Sequence, residues 1–125
     1  MAISKGVLTI FIANASFKYD KDLIGKMDPY ILLKVGEQIQ RSSTKKDAGK
    51  TPTFNETFIF NVNPGDELEI EAWDNDMGRS DDKIGSITIP INNVISQKII
   101  KGPFVLNGRM RFFNKGKIFG TISFT

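Results

Sequence analysis

The sequence predicts an all-β protein, an eight-stranded antiparallel β-sandwich. Two features point there. Apolar residues recur with period two, not with the 3.6-residue period of a helix, and turn-forming residues punctuate the chain at short intervals. In the first segment Leu8, Ile10 and Ile12 share one parity, with Thr9 between them. Strands are then expected at about 29–36 and 38–45. Phe54, Phe58, Phe60 and Val62 share a face against Asn55, Thr57 and Asn61. Leu68, Ile70 and Ala72 alternate with Glu67, Glu69 and Glu71, the cleanest alternation in the chain. Further strands are expected at about 83–90 and 103–107, and a last one at Lys117–Phe124. Gly25, Gly36, Gly49, Pro64-Gly65, Gly78, Gly102-Pro103, Asn107-Gly108 and Gly116 separate these runs. Asn92–Gln97 reads as one helical turn. With no linker, repeat or long helical pattern, residues 1–125 read as one domain. The alternating phenylalanines are assigned to the core. Trp73 falls on the polar parity beside an acidic loop, which leaves two placements open: beneath that loop or exposed.

Composition narrows the chemistry. The chain has no cysteine and no histidine, so disulfides, thiolate sites, Ser-His-Asp and Cys-His catalysis and most transition-metal sites are excluded. Residues 1–5 carry no apolar signal segment, residue 2 is Ala2 where myristoylation needs glycine, and no run is long enough to span a bilayer. A cytoplasmic protein is expected. The net charge is +3, but it is unevenly spread. Asp20, Asp22 and Asp28 form one acidic segment, and Asp74, Asp76, Asp81 and Asp82 form another. An acidic spot on a basic body suits a hard cation and an anionic surface better than nucleic acid.

Two local motifs fail on inspection. Gly49-Lys50-Thr51 ends like a phosphate-binding loop, but Thr44 stands where the first glycine belongs. The stretch from Asp74 opens like an EF-hand loop, yet its sixth position is Arg79 and its twelfth is Gly85. In the strand reading each acidic segment joins two strands, and a sandwich gathers such loops at its ends. If both lie at one end, five or more carboxylates converge and repel unless a cation joins them. Calcium suits such a site better than magnesium, because it takes six to eight oxygens in flexible geometry. The competing reading is that the aspartates only shape and solubilise turns. No base, nucleophile or cofactor motif accompanies them, so no enzyme is expected.

These segments resemble the C2 domain, the calcium- and phospholipid-binding module of protein kinase C and synaptotagmin. The resemblance covers nearly the whole chain. It rests on Gly6-Val7-Leu8-Thr9-Ile10-Phe11-Ile12, Met27-Asp28-Pro29-Tyr30, Pro52-Thr53-Phe54-Asn55-Glu56-Thr57-Phe58-Ile59-Phe60, Leu68 to Asp76, and Asp82-Lys83-Ile84-Gly85, in that order. Phe54 stands where the family usually has tryptophan. The resemblance implies a Greek-key sandwich. The early first strand and the extra last strand resemble the circularly permuted, type II arrangement.

The resemblance further implies that Asp22, Asp28, Asp74, Asp76 and Asp82 hold two or three Ca²⁺ ions, with the backbone carbonyls of Lys21 and Asn75 assisting. Asp20 and Asp81 are extra acids near the cage, either solvated or supporting its ligands from behind. Loop tips of the family enter the bilayer, which assigns Leu23 and, beside Gly78, Met77 to that role. Ile24 and Met27 add apolar surface there unless they pack against the sandwich end. Lys26 and Arg79 are placed to meet headgroups. Lys34 matches a position of the family's lysine-rich patch, with Arg41, Lys45 and Lys46 nearby; ordinary solvated strand positions are the favoured explanation. The implied function is calcium-dependent binding of a monomer to anionic phospholipid membranes, peripheral and non-enzymatic. The alternative is a module that binds a protein partner, with or without calcium.

Overall fold

The computed structural model describes residues 5–18, 26–76, 78–108 and 114–125. Among them run nine strands and one short helix: β1 Gly6–Phe17, β2 Pro29–Val35, β3 Gln38–Arg41, β4 Thr53–Val62, β5 Glu67–Asp74, β6 Asp82–Pro90, α1 Ile91–Gln97, β7 Ile99–Lys101, β8 Phe104–Asn107 and β9 Asn114–Phe124. The expected strands are all present, and the three-residue β7 is an addition. The strand expected to reach residue 45 ends at Arg41. There the Ser42 N–H still donates to the Ile31 carbonyl at 2.9 Å, but the Ser42 hydroxyl accepts the Ile31 N–H at 2.8 Å, so a side chain takes over half of the ladder pair.

All pairings are antiparallel, in the order β3-β2-β5-β6-β8-β9-β1-β4, with β7 extending the β8 edge of β9. The path divides into two layers, because β6 and β8 share a single ladder pair, Ser86 with Asn107. The last strand lies between the first and the penultimate one, as the permuted topology requires. The outermost strands, β3 and β4, are joined by side chains. Gln38 Nε2 donates to the Asn61 carbonyl at 2.7 Å and Gln40 Nε2 to the Ile59 carbonyl at 2.6 Å. These bonds use polar backbone that an open edge would expose.

The core follows the parities of the sequence. Leu8, Ile10 and Ile12 from β1 meet Ile31 and Leu33, Phe58 and Phe60, Leu68 and Ile70, and Ile118 and Ile122. Removing this apolar surface from water supplies the main driving force for the fold. Where β1 bulges between Ile12 and Asn14, Gly120 of β9 faces it. A Cβ at Gly120 would overlap the Phe11 carbonyl oxygen and sit 3.3 Å from Ile12 Cα. Among the described residues, no helix is long and apolar enough to cross a membrane.

One end of the sandwich is stitched together by backbone bonds between three connections. The Phe17 N–H donates to the Lys50 carbonyl (2.8 Å), Gly49 to Met27 (3.0 Å), Lys45 to Pro29 (2.9 Å) and Asn75 to Asp28 (3.0 Å). The β3–β4 connection is thereby braced against the end of β1 and the start of β2, and the residue after β5 is tied to the residue before β2.

Candidate metal and lipid site

The acidic residues are positioned by strand ends. Asp28 immediately precedes β2, Asp74 closes β5 and Asp82 opens β6. In the ladder Asp74 pairs with Pro29 on one side and with Asp82 on the other. Three carboxylates thus sit at the ends of three adjacent strands. Asp74 Oδ1 accepts the Asp28 N–H at 2.9 Å, and Asp28 Oδ1 accepts the Asp47 N–H at 2.7 Å. Backbone donors therefore orient two of the carboxylates, and one donor comes from the braced β3–β4 connection. Asp76 lies two residues beyond β5, its carboxylate 3.9 Å from Arg79 Nε. Four of the five expected ligands are brought to one end in this way. Asp22, Lys21, Leu23, Ile24 and Met77 lie outside the described residues. Among the described residues, no group of three or more carboxylates is placed to hold a metal ion.

Of the two places the sequence left for Asp81, solvated or supporting the cage, the geometry matches the second. Its carboxylate accepts the Tyr30 hydroxyl at 2.5 Å, the Asp76 N–H at 3.1 Å and the Asn75 side-chain amide at 3.4 Å. The Tyr30 and Asp76 bonds hold the Asp81 carboxyl below its ordinary value. The Tyr30 phenol is pushed up to about 12, by burial first and then by its bond to Asp81. The Arg41 guanidinium stacks on the Tyr30 ring, 3.6 Å from its centroid, and donates to Thr44 Oγ1 at 2.7 Å. The only hint in the sequence was an aspartate directly before a candidate ligand.

The basic residues divide into two groups. Lys26, Lys46 and Arg79 are exposed at the loop end. Lys45 is half-buried there, 3.6 Å from Glu56 and over the Phe54 ring. Lys34 lies instead on the outer face of the β3-β2-β5-β6 layer, where its Nζ is 3.3 Å from Glu71. One open apolar placement is decided. Met27 is 5% exposed and packs in the core, so it offers no surface to a bilayer.

Glu71 departs from its expected place. Its parity marks it as a solvent-facing strand residue, yet it is only 3% exposed. Lys34, Lys83 (3.2 Å) and the Trp73 indole N–H (3.0 Å) surround the carboxylate. Trp73 is accordingly half-buried on this face, tied to Glu71. Burial would raise the Glu71 carboxyl; the Trp73 hydrogen bond and the two lysines outweigh it and hold it below its ordinary 4.5. A carboxyl lowered by folding contributes stability above its unfolded pKa and loses it as pH falls through the folded one. Melting temperatures measured from about pH 6 to about pH 3 should therefore fall less steeply for Glu71→Gln than for the native protein. Equal slopes would show that Glu71 is not a source of acid sensitivity.

The described loop end is a rim of acids at or beside strand ends, flanked by exposed Lys26, Lys46 and Arg79. The sequence model of the C2 domain family matches residues 6–106, and the chain belongs to that family. It is 37% identical over 120 residues to the 16 kDa phloem protein 2 of Arabidopsis thaliana, covering 95% of this chain and 81% of that protein. It is 34% identical over 122 residues to elicitor-responsive protein 3 of Oryza sativa subsp. japonica, covering 97% and 84%. The calcium-bound structure of the C2A and C2B domains of an extended synaptotagmin 2 superimposes with a TM-score of 0.81 at 33% identity, covering 99% of this chain and 47% of that one. The family as a whole is one of calcium- and lipid-binding modules.

Proposed function

We propose that this chain is a non-enzymatic module that binds anionic phospholipid membranes in a calcium-dependent way, its 125 residues acting as one domain. The observation that carries the reading is the placement of Asp28, Asp74 and Asp82 at the ends of three adjacent strands, with Asp76 just beyond. Like-charged groups brought together there favour a cation. Asp22, Asp28, Asp74, Asp76 and Asp82 would hold two or three Ca²⁺ ions, assisted by the carbonyls of Lys21 and Asn75. The family resemblance and the calcium-bound relative support this choice of ion. Bound calcium would supply positive charge at an otherwise repulsive tip. The chain's own part is to orient the carboxylates through the Asp28 and Asp47 amides and to flank them with Lys26, Lys46 and Arg79. Leu23, Ile24 and Met77 would add apolar contact. Lys34 is assigned a smaller share, because Glu71 already neutralises it.

Vesicles containing anionic lipid should sediment the protein with calcium and release it with chelator, while neutral vesicles should bind little. Each basic residue at the surface adds about 1 kcal/mol of attraction. That attraction is screened, so binding should weaken as salt rises. Calcium should also stabilise the fold, by about 2.7 kcal/mol at a hundredfold excess over Kd. If melting curves coincide in calcium and chelator, the metal reading is wrong.

A second reading has its own observation. Ile59 and Ile99 are exposed, in one cross-strand row with Thr9 and Ser123, beside exposed Phe11. Large apolar side chains exposed on the outer face of a sheet suit a protein partner. Calcium binding in solution without recruitment to any vesicle would make that reading the better one.

A further inference from the structure

We propose that Tyr30 and Asp81 form a strut that positions the β5–β6 connection for cation binding, with Asp81 as a positioning residue and not a ligand. The inference rests on the calcium reading above. Asp81 lies between two expected ligands, Asp76 and Asp82, and both its carboxylate oxygens are engaged. One takes the Tyr30 hydroxyl at 2.5 Å; the other takes the Asp76 N–H at 3.1 Å. The Asn75 side chain reaches the same carboxylate at 3.4 Å. The two residues after β5 are thus held by a single group, and that group is held by Tyr30.

Tyr30 is a fixed post. It is 6% exposed, lies in β2 and pairs with Trp73 across the ladder. Arg41 covers its ring, and Thr44 holds Arg41 in turn. A strand residue locked on both sides can carry an anchor that a loop cannot provide for itself. Carboxylates on an unanchored connection must be ordered when the ion arrives, and that ordering opposes binding. Anchoring Asp76 beforehand moves the ordering into folding, which is how preorganisation raises affinity.

A direct-ligand role for Asp81 predicts a different outcome. An ion that recruited Asp81 would share its carboxylate with the Tyr30 hydroxyl, which draws charge from it, so removing the hydroxyl would leave binding unchanged or tighter. Calorimetric calcium titrations of the native protein, Tyr30→Phe, Asp81→Asn and the double variant separate the cases. The strut predicts that Tyr30→Phe weakens calcium binding about three- to tenfold, the worth of one hydrogen bond. Its melting temperature in chelator should stay close to native. The double variant should bind no more weakly than Asp81→Asn alone, because the two changes break one contact. The Asp81→Asn deficit should persist at high salt, where a mere through-space charge effect is screened. This last measurement decides the matter if Phe at position 30 prevents folding.

Unchanged or tighter calcium binding by Tyr30→Phe would overturn the strut. So would a lower melting temperature in chelator with calcium affinity intact, which marks a structural contact only. If the native protein takes up no calcium, the functional reading itself fails and the strut fails with it.

Discussion

Asp74→Asn is expected to weaken calcium binding at least about tenfold, since it removes a charged oxygen ligand. It should also abolish calcium-driven recruitment to anionic vesicles. Asp74 is chosen because it is central: it closes β5 and pairs with Pro29 on one flank and Asp82 on the other. The substitution is gentle in shape. An asparagine oxygen can still accept the Asp28 N–H that Asp74 Oδ1 accepts at 2.9 Å, so the strand ends stay joined. Removing one of several neighbouring negative charges also relieves repulsion in the metal-free protein. Its melting temperature in chelator should stay level or rise. Asp76→Asn should weaken calcium binding in the same way. Calorimetry and melting in chelator, read together, decide the point. A large loss of stability without calcium would make these aspartates structural elements of the turns.

Gly120→Ala should be the most damaging glycine-to-alanine change among the described residues. The β1 bulge brings the Phe11 carbonyl against Gly120, so a Cβ there would overlap the Phe11 oxygen and lie 3.1 Å from its carbonyl carbon. Both obstacles are backbone and cannot rotate away, so β1 and β9 must separate. Overpacking of this kind costs about 3 kcal/mol or more, a large part of a domain's total stability of about 5–15 kcal/mol. The melting temperature should drop by about 10 °C. Gly36→Ala is the matched control. Gly36 has a φ of 59°, and a Cβ there would meet nothing within 4 Å. Its cost is conformational alone, about 1–2 kcal/mol. Chemical denaturation of both variants tests the comparison. If Gly120→Ala costs no more than Gly36→Ala, close backbone approach is not what Gly120 serves.

The alternating segments show what local sequence can decide. Leu8, Ile10 and Ile12, or Leu68, Ile70 and Ala72, bury one face because side chains in a strand point alternately to its two sides, whatever the neighbours are. Asp28, Asp74, Asp76 and Asp82 could be read as acids at or beside strand ends because turn residues bound their segments. Strand existence, core face and the acidic connections could therefore be read directly. The same logic misplaced Glu71. Its strand's alternation points it to solvent, but its burial depends on Lys34 from β2 and Lys83 from β6, which only strand pairing brings within reach. Met27 shows an open choice: an apolar residue beside a loop tip had two uses, and core packing took it.

What the sequence by itself determined is the set of strands, the side of each that faces the core, and the residue types gathered in the two acidic connections. These depend on backbone geometry and on neighbours a few residues away. The tertiary structure alone decided how the acids are held. Tyr30 and Asp81 are 51 positions apart, Asp28 and Asp74 are 46 apart, and the Asp47 amide that orients Asp28 comes from a third connection. A hydrogen bond is felt only within about 3 Å. Partners so distant along the chain meet only after β2, β5 and β6 have paired, and no local pattern records which of them will.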